Sequence, residues 1–75
     1  MNSRLPMLKA RDVIRVLNLL GFYKTRQSGS HAFFFHPDGR TTTVPIHPGK
    51  DIDRGLFKTI LNEIEMTAEE FGKYL

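Results

Sequence analysis

Apolar residues recur at helical spacing in two segments of the chain, residues 10–20 and 54–64. In each segment they return every three or four positions, as they do on the buried face of an amphipathic helix. Gly21 is placed to end the first helix in the left-handed conformation, and Asp53 is placed to cap the second. The sequence therefore predicts two amphipathic helices. Their buried stripes are Val13, Leu17 and Leu20, with Ile14 and Val16 beside them, and Leu56, Phe57, Ile60, Leu61 and Ile64.

Between these helices the pattern changes to short segments rich in aromatic and β-branched residues. Turn residues separate the segments, and short turns join strands that run antiparallel. Because Pro45 cannot donate a hydrogen bond to a neighbouring strand, the last strand is expected at an edge of the sheet. The prediction is an antiparallel meander with strands at residues 22–27, 30–36 and 41–46, and turns at residues 28–29 and 37–40.

Alternation along the strands predicts which side chains face the helices. We expect Phe34 in the core, and Phe33 and Phe35 on the opposite, open face of the sheet, where exposed aromatic residues mark an interface with a partner or a second copy. A twisted strand with both faces partly covered is the alternative. In the other strands, Thr42, Val44 and Ile46 are predicted to face the helices, while Lys24 and Arg26 lie opposite to Tyr23 and Thr25.

The ends of the chain complete the predicted fold. Residues 1–8 are an extended leader in which Leu5 and Leu8 can pack on the body, and residues 47–52 form a loop. Thr67 and Glu70 form a capping box, which predicts a short last helix over residues 68–75, with Phe71 and Leu75 folded back. The 75 residues thus form one α+β domain, a two-layer sandwich with helices on one face of a three-stranded antiparallel sheet. Double-stranded-RNA-binding domains have this α-β-β-β-α order.

Charge is distributed unevenly along the chain. Residues 1–62 contain ten Lys and Arg against four Asp, whereas residues 63–75 contain four Glu and one Lys. A basic body favours a polyanionic partner, although a solvated basic surface would have the same composition. The chain has no cysteine and no apolar run long enough to span a membrane. We expect that its first residues are not a signal peptide and that the protein is soluble and cytoplasmic.

Three histidines are the candidates for chemistry, and their spacing does not match a metal site. His36, before Pro37 at a turn, is expected to be structural. His31, at the entrance of the central strand, can serve as a general base that activates the 2′-hydroxyl of RNA. The alternative is a turn histidine bonded to nearby backbone. His47 is a candidate second acid or base, and cations that could stabilise a phosphate transition state are Arg26, Arg40, Lys50 and Arg54.

A set of short motifs follows in order along residues 5–71. They are Leu20-Gly21-Phe22, Gly29-Ser30-His31, His36-Pro37-Asp38-Gly39-Arg40, Val44-Pro45 with His47, Gly55, and Ile60-Leu61. No single motif is specific, but in this order and spacing they resemble the HicA (YcfA-like) family of small mRNA-cleaving toxins from toxin–antitoxin pairs.

The resemblance implies a double-stranded-RNA-binding-like fold and a ribonuclease that uses no metal or other cofactor. It implies that His31 is the catalytic residue, with Gly29 allowing close approach of RNA or backbone and Ser30 beside it in contact with substrate. It also implies mRNA as substrate and a HicB-like antitoxin that covers the histidine. Operator binding by such pairs runs through the antitoxin, so no direct DNA contact by this chain is expected.

Two positions depart from the family pattern, Lys9 at the start of the first helix and Glu65 where a glycine is common after the second. Both affect helix caps rather than the site. Two further hypotheses remain open at this point: a double-stranded-RNA binder without catalysis, and a protein-interaction module that docks a partner on Phe33 and Phe35.

Overall fold

The structure, a computed structural model, describes residues 7–75. Most of the predicted leader, including Leu5, lies outside the described residues, whereas Leu8 is buried as expected. In chain order the elements are β1 (Leu8–Lys9), α1 (Ala10–Leu19), β2 (Tyr23–Ser28), β3 (His31–Phe35), β4 (Thr41–Pro45), β5 (Asp51–Ile52), α2 (Arg54–Ile64) and α3 (Ala68–Gly72).

Helix α1 ends one residue earlier than predicted. Leu20 is the last residue in right-handed geometry, and Gly21 follows in the predicted left-handed conformation with φ +97°. The amide of Phe22 donates a hydrogen bond to the carbonyl of Leu17 at 2.9 Å, so this carbonyl of the last helical turn has a partner. Phe22 therefore leaves the predicted strand and enters the core, where it is 2% exposed.

The start of α1 has a cap that the sequence did not indicate at Lys9. The Lys9 side chain has no oxygen to accept a bond, but its backbone amide donates to the Asp12 carboxylate at 2.9 Å. Asp12 thus supplies half of a capping box and also places a negative charge in the first turn, where the helix dipole favours it.

The predicted meander is confirmed. Strands β2, β3 and β4 form an antiparallel sheet in that order, so β4 with Pro45 lies at an edge. The first turn is Gly29-Ser30, one residue later than predicted, and Ser28 pairs with His31. Only Gly29 of the two has a positive φ, +58°, as expected for a two-residue hairpin of type II′.

A second small sheet was not predicted. Strand β1 pairs antiparallel with β5, so part of the predicted leader and the end of the predicted loop at 47–52 are strands instead. The ammonium group of Lys9 lies 2.6 Å from the Asp51 carboxylate and 3.3 Å from the carbonyl of Gly49. This ribbon fixes the segment that follows β4 against the start of α1.

The core lies between the sheet and the helices, which confirms the two-layer α+β architecture. Helices α1 and α2 both contact β4. Phe34 is 3% exposed and Thr42 is buried, with its hydroxyl donating to the Glu63 carboxylate at 2.8 Å. The fully buried core side chains are Val13, Val16, Leu17, Ala32, Val44, Ile60, Ile64 and Phe71.

The C-terminal elements follow their predicted caps. Asp53 accepts a bond from the amide of Leu56 at 2.8 Å, and Thr67 and Glu70 form both bonds of the capping box. Helix α3 ends at Gly72, before the predicted Leu75, and Leu75 is 42% exposed, so the prediction that it folds back was wrong. None of the helices in residues 7–75 has the length and apolar character needed to cross a membrane.

Candidate functional site

His31 is the first residue of β3, and its backbone is held from both sides. It pairs with Ser28 across the hairpin and with Pro45 on β4, and the amide of Ile46 donates to the carbonyl of Ser30 at 2.6 Å. The side chain is exposed, and within residues 7–75 the imidazole forms no hydrogen bond or ion pair. A rigid backbone thus presents a solvent-accessible ring whose nitrogens have no partner in the described part of the chain.

The turn before His31 needs glycine for its backbone conformation. Gly29 has φ +58°, and a Cβ built there would have no protein atom within 4 Å. Close approach of the described backbone is therefore not the reason for glycine at this position. The space beside the turn is open to solvent, and a substrate could enter it.

A β-bulge in β2 changes the face on which Arg26 lies. Lys24 pairs with Phe34, but Arg26 rather than Thr25 pairs with Phe33. Thr25 is the extra residue, and its hydroxyl donates to the carbonyl of Phe33 at 3.3 Å. The predicted alternation, with Lys24 and Arg26 together, was wrong because a bulge shifts every later residue of the strand to the other face.

The sheet face opposite the helices, called the open face below, is lined by two pairs of side chains that meet across β2 and β3. The ring of Tyr23 meets that of Phe35 edge to face with 5.7 Å between centroids. The guanidinium of Arg26 lies 4.3 Å from the centroid of Phe33. Phe33 and Phe35 are half-buried, and their cover comes from these cross-strand neighbours, which is an outcome between the two sequence alternatives.

A cleft of about 290 Å³ opens beside Pro45, the cross-strand neighbour of His31. His47 and Lys50 both line it, and the amide of Lys50 donates to the carbonyl of His47 at 3.0 Å in a turn. Arg54, the first residue of α2, is exposed but is not part of the lining. The structure therefore brings two of the predicted groups, Lys50 and His47, to the end of the sheet where His31 lies.

His36 lies at the other end of β3 and is bonded on both ring nitrogens. Because a carbonyl can only accept, Nε2 donates to the Leu20 carbonyl at 3.1 Å, and Nδ1 accepts from the Asp38 amide at 3.1 Å. A protonated ring could instead donate from Nδ1 to the Asp38 carboxylate, 3.0 Å away. The ring also meets Phe22 edge to face, and a Cβ on Gly21 would lie 3.1 Å from Nε2. These contacts give His36 the structural role that the sequence indicated.

Arg40 is engaged at this same end. Its Nε donates to the Asp38 carboxylate at 2.9 and 3.1 Å, and Nη1 donates to the carbonyl of Ile64 at 2.6 Å. The guanidinium also lies 5.0 Å from the Phe22 ring. The side-chain hydrogen bond from Arg40, followed by the bond from its backbone amide, holds the pKa of Asp38 below its usual range. Arg40 thus ties the β3–β4 turn to the end of α2.

The predicted site residues therefore divide into two groups. Gly29, Ser30 and Arg26 lie on the hairpin that carries His31, whereas Arg40 is separated from His31 by the length of β3. The sequence analysis did not include Tyr23 in a site. In the structure six residues of β2 run beside five of β3, and the bulge between Lys24 and Arg26 accounts for the difference. Among residues 7–75, no group of three or more His, Asp or Glu side chains is arranged to hold a metal ion.

Comparison with known proteins defines the class of the molecule. A family model described as the HicA toxin of bacterial toxin–antitoxin systems matches residues 10–66, which include both long helices and all three strands of the larger sheet. No curated protein matches the chain. The protein is thus the toxin component of a toxin–antitoxin pair, and an antitoxin is its implied partner. The chain belongs to the HicA toxin family.

Proposed function

We propose that this toxin is an endoribonuclease that cleaves mRNA without a metal ion and with His31 as general base. The observation that supports the proposal is the exposed imidazole of His31, which has no partner in the described chain and is fixed by strand pairing on both sides. A general base must be held in place and must reach a proton on its substrate. The family implies the substrate class, and the two cations of β2, Lys24 and Arg26, suit a polyanion.

In the proposed reaction the 2′-hydroxyl of RNA is the nucleophile. His31 takes its proton as the 2′-oxygen bonds to the adjacent phosphorus, and the bond from phosphorus to the 5′-oxygen breaks. The products are a 2′,3′-cyclic phosphate and a 5′-hydroxyl, which receives a proton from an acid. His47, which lines the cleft beside Pro45, is the histidine that could supply it. Histidine is the side chain most often used for such proton transfers.

Charge on the phosphate rises as the nucleophile attacks, so a fixed cation nearby lowers the barrier. Lys50 lines the cleft beside Pro45, and Arg26 is held on the open face by Phe33. We assign phosphate binding to these two side chains, with Arg54 at the start of α2 as a more distant contribution. Arg40 is left out because its donors are directed to Asp38 and Ile64.

We also propose that the antitoxin is HicB-like and inhibits the toxin by covering His31. The supporting observation is the open face itself, where Tyr23 is 50% exposed and Phe33 and Phe35 are half-buried. Such a surface is more apolar than most of a solvated face and suits a partner. Covering it would exclude RNA from the histidine.

The test is cleavage of a mixed RNA in the presence of EDTA by the wild type and by His31→Ala, with the fold of both checked by circular dichroism. We expect cleavage by the wild type alone, with products that end in a cyclic phosphate. A substrate with 2′-deoxyribose at the cleaved position should resist, because it has no nucleophile. Cleavage by His31→Ala at the wild-type rate would show that His31 is not the base.

A further inference from the structure

The open face has the composition of a stacking surface. Strands β2, β3 and β4 contain no Asp or Glu, and β2 places Arg26 on this face beside Phe33. Aromatic rings and arginine planes on a cationic strand surface are what unpaired nucleic-acid bases stack on. The cleavage chemistry uses His31 at one end of this surface and leaves the aromatic pairs unexplained.

We propose that the open face binds single-stranded RNA, with one unpaired base stacked on Tyr23 and a neighbouring base on the guanidinium of Arg26. The inference rests on the proposed function, since it names the form of RNA that the same site takes. It places the two stacked nucleotides to one side of the phosphate that reaches His31.

Both stacking groups are held in place before RNA arrives. Tyr23 is 50% exposed and its ring is supported from one side by Phe35. Arg26 is exposed, and its guanidinium carbon lies over the Phe33 ring, 4.3 Å from the centroid, so the side away from Phe33 is open to a base. A side chain that is already ordered loses less conformational entropy on binding, so these contacts favour affinity.

The spacing of the groups suits consecutive nucleotides. Residues on one face of a strand lie roughly 7 Å apart, so His31, Phe33 and Phe35 form a row with that repeat. Cross-strand pairing places Arg26 beside Phe33 and Tyr23 beside Phe35. An extended RNA strand that leaves His31 along β3 would thus reach the guanidinium of Arg26 first and the ring of Tyr23 next.

This arrangement favours unpaired RNA over a duplex. In an A-form duplex each base is stacked on its neighbours and paired, so its faces are closed to protein side chains. Recognition of a duplex would use phosphates and 2′-hydroxyls and would gain nothing from exposed rings. Stacking platforms are useful only where the bases are splayed out.

The experiment measures binding rather than cleavage, so the chains all carry His31→Ala and the RNA stays intact. A short mixed-sequence single strand is compared with the same strand annealed to its complement, by fluorescence anisotropy. We expect the single strand to bind more tightly. Tyr23→Ala should weaken single-strand binding about 5- to 100-fold, as loss of one stacked base does, and Tyr23→Phe should restore it.

Arg26 allows a second test with a matched control on the same strand. Arg26→Lys keeps the charge that binds phosphate but removes the planar group, so stacking predicts weaker binding than by the unsubstituted chain, and Arg26→Ala, which loses both, should bind more weakly again. Lys24→Ala removes one cation from the opposite face of β2 and should change affinity far less. Because Tyr23 has no charge, its loss should also leave the salt dependence of binding unchanged.

Three results would overturn the inference: tighter binding of the duplex, full rescue by Arg26→Lys, or an effect of Tyr23→Ala on antitoxin affinity alone. Each can occur while the wild type still cleaves RNA, so each leaves the proposed ribonuclease in place. Conversely, the wild type could bind single-stranded RNA through Tyr23 without cleaving it. That result would support RNA binding by the open face and contradict the proposed ribonuclease activity.

Discussion

Strand β3 begins with His31 and is followed directly by His36, and the two histidines have opposite surroundings. His31 is exposed and its ring is without a partner among residues 7–75. His36, directly after the last residue of β3, has partners on both ring nitrogens and packs against Phe22. Both belong to motifs that resemble the family pattern, so the motif alone does not separate a reactive group from a structural one.

The difference shows how hydrogen-bond partners decide what a histidine can do. A ring bonded to a backbone carbonyl is oriented and stabilises the fold, but its proton is already committed. A ring that faces solvent from a fixed backbone can exchange a proton with a substrate. The following predictions test this contrast, beginning with the largest expected effect.

Replacing His31 should abolish chemistry and spare the fold. For His31→Ala we expect RNA cleavage to fall by about 100- to 10,000-fold, the usual contribution of a general base. The free energy of unfolding should change by less than about 0.5 kcal/mol, because the side chain is exposed. Single-turnover cleavage and urea unfolding measure the two quantities. A large loss of stability would mean that the ring has a structural role after all.

Replacing His36 should do the reverse. His36→Ala removes the donor to the Leu20 carbonyl and leaves space beside Phe22, so we expect a loss of about 1–3 kcal/mol in the free energy of unfolding. Cleavage per folded molecule should stay close to wild type at a temperature where the variant is folded. If cleavage by the folded variant fell as far as in His31→Ala, the division between the two ends would be incorrect.

A smaller effect is expected at Glu65, beside the structural end. Glu65 has φ 60° and ψ 46°, a left-handed conformation that glycine adopts without strain. Glu65→Gly should therefore stabilise the protein by about 0.5–1 kcal/mol. Glu65→Ala is the control, since it removes the charge but retains a Cβ and should give no such gain. Equal stabilisation by both variants would assign the effect to charge.

The smallest effect concerns pH. Arg40 lowers the pKa of Asp38 in the folded state, so the ionised carboxylate stabilises the fold above the pKa of the unfolded chain. That contribution is lost as the pH falls through the lowered value. Below about pH 5, the wild type should lose stability more steeply than Asp38→Asn. Parallel unfolding midpoints for the two chains across that range would contradict the prediction.

Much of the fold follows from local patterns. The order of helices and strands, the Asp53 and Thr67 caps and the left-handed Gly21 each depend on a few neighbouring residues, and all were predicted. The pairing of β1 with β5 was not, because two-residue strands have no measurable periodicity. Their pairing joins Lys9 to Asp51, which the sequence separates by 41 intervening residues.

The site was less accessible to sequence reasoning. His31 and its turn are contiguous, so a motif could identify them as candidates. The environment of Arg26 depends on the bulge at Thr25. Arg40 is turned away from a site because it donates to the carbonyl of Ile64, 24 residues further along the chain. Both depend on contacts between separate elements, which the alternation of residues along one strand does not predict.

The bulge at Thr25 also affects how the toxin behaves at high concentration. Strand β2 is at the margin of the sheet, so its outward amides and carbonyls could template a strand from another molecule. An extra residue interrupts that ladder, and the charges of Lys24 and Arg26 repel a like neighbour. The same irregularity that turns Arg26 toward Phe33 therefore opposes aggregation through this edge. Deleting Thr25 would restore a regular edge strand and would also move Arg26 away from Phe33.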